Sequence, residues 1–275
     1  MSASDINDLS RLAVHTMTTK PWDLKTAAAK YAAAGIPAIT IWRQWLAGME
    51  LAAVRRILDD HDLTVAAHCR GGFFPASDAS DRQKAIDDNL RCIDEAAAIG
   101  APMVVLVCGA VPGQSLFESR KQIADGIAAC LTHAEARGVK LAIEPLHPMY
   151  ADDRSAVNTL GQANDLCDAI GSAWVGIAAD VYHLWWDDRL EAEIKRAGSR
   201  ILGFHLCDWM TPTSDLLLDR GLMGEGCINI REIRGWVEAT GFTGYHEVEI
   251  FSTRHWERDQ DTFLEDIKQA YTNHC

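Results

Sequence analysis

The chain has 275 residues, 48% apolar and 24% charged, the proportions of a globular protein with room for one sizeable core. Its 39 acidic residues outnumber 26 Lys and Arg, the formal charge is −13, and no dense basic run occurs, so a nucleic-acid partner, which needs phosphate neutralisation, is not expected. No apolar stretch reaches the ~18 residues of a membrane span, residues 1–9 are polar and acidic rather than signal-like, and the eight scattered cysteines form no Cys-x-x-Cys, so the expectation is a reduced, cytoplasmic protein.

Short β-branched or apolar runs then alternate with longer stretches of helical period. The first strand is predicted at 12–16, reaching His15, and a helix over 23–34 stops at Gly35. The second strand, 38–42, ends at Trp42. The third, 64–70, carries His68 and runs into Arg70-Gly71-Gly72-Phe73-Phe74-Pro75, where glycines permit close backbone approach and the aromatics suit the wall of a ring-shaped substrate site. A helix over 81–99 ends at Gly100 before the fourth strand, 103–109. Gly138 precedes the fifth strand, 140–146, in which Leu141 and Ile143 oppose Ala142 and Glu144; His147 follows in a Pro-flanked turn. After Gly171 comes the sixth strand, 175–180, with Ile177 opposite Gly176, Ala178 and Asp180. Gly198 leads to the seventh, 201–207, with Leu202, Phe204 and Leu206 opposite Gly203 and His205. The last strand, 245–251, lies beyond Gly241 and carries Glu247 and Glu249 on one face. Six helical stretches thus finish near a glycine able to act as a C-cap.

Eight strict strand–helix alternations imply a parallel sheet. With no N-terminal phosphate-binding glycine motif, closure into a single-domain (β/α)8 TIM barrel over 1–275 is favoured over an open doubly wound sheet. In each late strand one face is bulky and apolar, suited to outer helices, whereas the other carries small residues and ends in a metal-binding type. The inward faces end at His15, Trp42, His68, Glu144, Asp180, His205 and Glu249, which closure brings to one rim. Three carboxylates and a histidine converging on one point repel unless a cation sits between them, so one divalent metal is expected. Mixed carboxylate and imidazole donors suit Mn2+ first, with Co2+, Mg2+, Fe2+ or Zn2+ as alternatives.

Glu144-Pro145, Asp180-x-x-His183, His205-Leu206-Cys207-Asp208, Gly224-Glu225-Gly226 and Glu249-Ile250-Phe251, in this order at barrel spacing, resemble the sugar isomerase/epimerase superfamily of xylose-isomerase-like barrels. The resemblance runs from the first strand to Phe251. It implies a metal held by Glu144, Asp180, His205 and Glu249, with Glu144 and Glu249 flanking a keto substrate and exchanging its proton through an enediolate. It further implies that His183 polarises a substrate oxygen and that Arg220 contacts substrate, with Arg220 and Gly224-Glu225-Gly226 forming a loop over it.

Alternatives stay open at several positions. Glu247 shares a face with Glu249 and is the alternative ligand; otherwise it is an interior carboxylate needing a partner such as Lys140. The alternative reading of His183 is packing beside Trp185-Trp186, and that of Arg220 is a surface cation. His15 and His68 are either substrate contacts or hydrogen-bonded rim residues. Trp22, Trp42, Trp185, Trp186 and Trp209 suggest an aromatic pocket, although a tryptophan is more often core.

The leading expectation is a metal-dependent isomerase or epimerase of a keto sugar or keto polyol, with a small carbohydrate as substrate and a homo-oligomer or small second subunit as possible partner. The runner-up is a lyase on the same scaffold, like C-glycoside-deglycosylating enzymes or inosose dehydratases, with His147 as the extra acid or base. An abasic-site endonuclease of the superfamily is disfavoured by the acidity and by the lack of Asp-x-His after the seventh strand.

Overall fold

Eight parallel strands close on one another into a barrel in the order β1-β10-β7-β6-β5-β4-β3-β2. They are β1 (Leu12–His15), β2 (Ala38–Trp42), β3 (Thr64–Gly72), β4 (Met103–Val107), β5 (Lys140–Glu144), β6 (Val175–Asp180), β7 (Ile201–Leu206) and β10 (His246–Val248). Between the last two, β8 (Asp208–Trp209) and β9 (Arg220–Gly221) pair antiparallel as a small ribbon. The computed structural model describes residues 5–275; residues 1–4, the start of the polar N-terminal stretch, lie outside the described residues. Among the described residues no helix is long and apolar enough to cross a membrane.

Side-chain alternation sorts the strands into two packed layers. Leu141, Ile143, Ile177, Phe204 and Leu206 face the helices in one large apolar cluster, and Ala67, Cys69, Met103, Val105, Ala142 and Ala178 fill the barrel interior with Met17 and Trp42. Burying one Leu, Ile or Phe is worth about 1.5–3 kcal/mol. A one-residue slip in β5 would exchange Ile143 for Glu144 at the helix interface, so the register that aims Glu144 inward is strongly enforced.

Helix ends follow the local chemistry. Asp23, Asp78, Ser115 and Thr159 each accept a backbone N–H from three residues on, a cap worth about 1 kcal/mol. Gly100, Gly138 and Gly171 are left-handed C-caps, whereas Gly35 and Gly241 lie one residue past the cap and Gly198 caps in another conformation.

Two irregularities overturn the simple alternation. β2 and β3 pair Ile39 with Val65 but Thr40 with Ala67, so Ala66 is an inserted residue. The parity of β3 shifts: Ala67 and Cys69 face the interior, and His68 turns outward under the helix Ala79–Ile99. Likewise β6 and β7 pair Ile177 with Ile201 but Ala178 with Gly203. Leu202 therefore packs against the interior cluster instead of the outer helices. At the end of β3, Gly72 has φ +105°, and a Cβ there would lie 2.0 Å from the Val107 carbonyl oxygen, so only glycine fits.

Candidate active site

Glu144 ends β5, Asp180 ends β6, His205 lies in β7 and Glu249 follows β10. These strands are consecutive neighbours in the barrel, and the four donor atoms all lie within 4.8 Å of one another. All four residues are buried, so three carboxylates share a site with little water to separate their charges. Arg220 supplies part of the compensation: its Nη1 donates to Asp180 Oδ2 at 2.9 Å and to Glu249 Oε2 at 2.8 Å. Its guanidinium lies over the rings of Tyr182 (4.3 Å) and Phe251 (5.0 Å).

The remainder of the negative charge falls on the buried imidazoles beside it. Burial raises the Asp180 carboxyl to about 6, with Arg220 opposing and Glu249 and Glu144 reinforcing the rise. Burial alone would make His205 a weaker base, but Glu144, Glu247 and Glu249 outweigh it and raise the imidazole to about 10. His205 Nδ1 lies 2.9 Å from Glu144 Oε1, yet neither atom has an aligned hydrogen-bond partner. Orphaned buried donor atoms of metal-ligating type, surrounded by excess negative charge, fit a divalent cation.

Beneath this group lies a second buried cluster of His15, His205 and Glu247. Thr40 Oγ1 donates to Glu247 Oε2 at 2.6 Å, and His15 Nε2 lies 3.6 Å from the same oxygen. Thr40, not Lys140, is therefore the hydrogen-bond partner of this interior carboxylate. Gly203 leaves it room, since a Cβ there would stand 3.1 Å from Glu247 Oε1. The Trp42 indole donates to His15 Nδ1 at 3.1 Å, and that nitrogen is also 3.0 Å from Glu249 Oε1. His15 thus sits fully buried behind Glu249, away from any substrate surface.

Above the cluster opens a cavity of about 180 Å³ lined by Glu144, Glu249, His183, Arg220, Trp42, Tyr150, Arg70 and Arg154, among others. His183 Nε2 accepts from Arg220 Nη2 at 3.2 Å, and burial, with the charge of Arg220, holds this imidazole neutral. Three sequence expectations are corrected here. His68 is not at the rim: the inserted Ala66 turns it outward, where its ring nitrogens meet the Ile41 carbonyl at 3.1 Å and Glu95 at 3.2 Å. His147 does not line the cavity: its Nδ1 accepts from Met149 N at 3.2 Å, and its ring stacks on Trp209 and meets Trp186 edge-on. Gly224-Glu225-Gly226 does not cover the cavity either. Asp208 accepts the backbone N–H groups of Gly224 and Ile228, and Glu225 pairs with Arg254 and His255, which hold the loop to one side.

Of the five tryptophans that suggested an aromatic pocket, only Trp42 lines the cavity. Trp185, Trp186 and Trp209 pack around His147 and Tyr182. Phe74 is buried against Gly126, and Phe73 is 42% exposed. Arg154 and Tyr150 were not singled out from the sequence, because they sit in an irregular βα loop with no periodicity. Arg70, at the end of β3, was legible only as part of its glycine–aromatic run.

Over 203 residues the chain is 24% identical to the inosose isomerase of Halalkalibacterium halodurans, a match covering 72% of this chain and 70% of that protein. The crystal structure of a Sinorhizobium meliloti 1021 protein superposes with a TM-score of 0.94 at 47% identity, covering 98% of this chain and 99% of that one. The IolI protein with a bound zinc atom superposes with a TM-score of 0.83 at 22% identity, covering 94% and 96% respectively. Residues 28–269 match the family described as Xylose isomerase-like TIM barrel, and on that match together with the closed barrel the chain belongs to this family.

Proposed function

We propose that the protein is a divalent-metal-dependent isomerase or epimerase of a keto sugar or keto polyol. The observation that carries the reading is the convergence of Glu144, Asp180, His205 and Glu249 at the floor of a small cavity into which both glutamates face. Glu144, Asp180, His205 and Glu249 would hold a divalent ion, Mn2+ in the first instance, which would supply Lewis-acid stabilisation of negative charge on the substrate oxygens. Of the two glutamates, one takes the proton from the carbon next to the ketone, the C–H electron pair passing into an enediolate. The other returns a proton, to the opposite face for epimerisation or to the neighbouring carbon for isomerisation. Arg220 and neutral His183 line the same cavity and orient substrate hydroxyls.

The inosose isomerase named for the Halalkalibacterium relative supports a keto polyol as one substrate class. Cavity size supports the same choice, because about 180 Å³ is below the ~300 Å³ lower bound of drug-sized pockets and suits a monosaccharide better than a glycoside with its aglycone. The lyase alternative asks for a third titrating group beside the metal donors. His147, the residue expected to serve, instead packs half-buried against Trp186 and Trp209, outside the cavity lining.

Metal-loaded protein in deuterated water tests the reading on ketoses and inososes. Deuterium should enter at the carbon next to the ketone while an isomer or epimer accumulates. Glu249→Gln should lower turnover about 10²- to 10⁴-fold, the range of a general acid–base group, with a smaller change in KM. Absence of deuterium in every ketose and inosose at full metal occupancy would overturn the proposal, and release of a leaving group from a 3-keto glycoside would replace it with the lyase.

A further inference from the structure

The cavity holds more positive charge than its metal donors require. Glu144, Asp180 and Glu249 are together matched by one divalent ion and Arg220. Arg70 and Arg154 line the same cavity in addition. Among the described residues Arg70 makes no hydrogen bond or ion pair; its guanidinium lies over the rings of Phe73 (4.4 Å) and Trp42 (5.9 Å). Arg154 lies over Tyr150 at 5.1 Å, and its one ionic neighbour is the exposed Asp153 at 4.0 Å. Aromatic faces hold both groups in place without neutralising either.

We propose that Arg70 and Arg154 bind an oxyanion carried by the substrate, at the end of the molecule away from the ketone. This rests on the isomerase reading and narrows its substrate class to an acidic keto sugar, carboxylated or phosphorylated. Two guanidinium forks facing one small cavity repel each other, and burial together with the charge of Arg154 weakens Arg70's hold on its proton. An anion between them removes that repulsion and accepts paired N–H bonds from both forks. A neutral sugar leaves the Arg70 cation covered and unpaired, and leaves Arg154 only its exposed neighbour Asp153.

D-fructose, D-fructuronate and D-fructose 6-phosphate share a C2 ketone and differ in their C6 end, which is neutral, carboxylate or phosphate. Metal-loaded protein should exchange deuterium into one of the acidic sugars with a kcat/KM at least tenfold above that for D-fructose, the larger ratio identifying the oxyanion. Arg70→Gln and Arg154→Gln should each shrink that ratio about tenfold or more, chiefly through KM, and the corresponding Lys variants should restore part of it. A D-fructose kcat/KM equal to or above that of both acids would sink this inference and leave the isomerase intact. If none of the three sugars exchanges, the isomerase reading is the one in trouble, and calorimetry with inorganic phosphate and with acetate decides on the oxyanion site. Saturable binding lost in the Arg70→Gln/Arg154→Gln double variant sustains it; no binding, or binding that the double variant keeps, overturns it.

Discussion

Arg220 is the residue on which the organisation of the site turns. It is buried, bridges Asp180 and Glu249, touches His183 and is clamped between Tyr182 and Phe251. A lysine keeps the charge but loses the planar fork that reaches all these partners at once. Arg220→Lys should therefore lower kcat/KM about ten- to hundredfold, the equivalent of one charge-assisted hydrogen bond at about 1.5–3 kcal/mol. Steady-state kinetics beside a metal assay checks this, and unchanged kinetics would mean that the bridge is dispensable. Individual residues also show how far the sequence could be read. Glu144, Asp180 and His205 were placed inward by counting alternation, and the count works because β5 and β6 carry no inserted residue and the insertion in β7, at Leu202, precedes the run 203–206 that sets the parity of His205. His68 was placed inward by the same count and faces outward, because one inserted residue, Ala66, reverses parity and leaves no compositional mark. Glu247 and Glu249 share a face, so alternation could not separate them; the structure sets them at different depths along the barrel, Glu247 on Thr40 and Glu249 on Arg220.

Among the elements, the helix Ala79–Ile99 holds the end of β3, the strand that carries the cavity residue Arg70. Asn89, buried on this helix, accepts the Gly72 N–H at 2.7 Å and donates to the Gly72 carbonyl at 2.8 Å, fixing the end of β3 two residues beyond Arg70. Asn89→Ala leaves a buried N–H and a buried carbonyl unsatisfied and should cost about 1–3 kcal/mol in urea unfolding. An effect within ±0.5 kcal/mol would show that water replaces the side chain. One turn and a half further along, Glu95 binds Arg43 and His68 and so ties the turn after β2, and β3 itself, to the helix. Burial alone would raise the Glu95 carboxyl, but His68 and Arg43 outweigh it and hold it at about 2. A carboxyl depressed by folding stabilises the fold above its unfolded value, about 4.3, and that contribution is lost as pH falls through the folded value. The stability gap between the native chain and Glu95→Gln should therefore be full at pH 6 and close between about pH 4.3 and 2. A gap that persists unchanged at pH 2 would assign Glu95 a packing role only. The sequence made the helix and its glycine stop legible through period and cap. This lattice of side chains across three elements has no local pattern and was not.

At the scale of the whole molecule, the barrel was legible because every strand–helix unit repeats the same two periodicities, and the count of eight, with no N-terminal phosphate-binding glycine motif, favours closure over an open sheet. The donor set is spread so that one ion would join β5, β6, β7 and β10, half of the strands, at the end where the loops are longest. Without an ion, three buried carboxylates share a single arginine and the imidazoles of His205 and His15, an arrangement that crowds charge at this end of the barrel. Metal binding to the folded chain therefore couples to unfolding of the whole barrel, since the unfolded chain offers no preformed site. At a free Mn2+ concentration one hundred times its dissociation constant, the linkage amounts to about 2.7 kcal/mol. For a domain of this size each kcal/mol moves the midpoint by about 2–4 °C, so Mn2+ should raise Tm by about 5–10 °C over chelator-treated protein. Asp180→Asn supplies the control. It removes one carboxylate from the crowd, so its metal-free Tm should lie within a few degrees of the metal-free native chain. It also removes a donor, so its response to Mn2+ should largely vanish. Calorimetric melts of the two proteins with and without Mn2+ give all four midpoints. An undiminished Mn2+ response in Asp180→Asn would place the ion outside the group formed by Glu144, Asp180, His205 and Glu249, and the proposed chemistry would lose its metal.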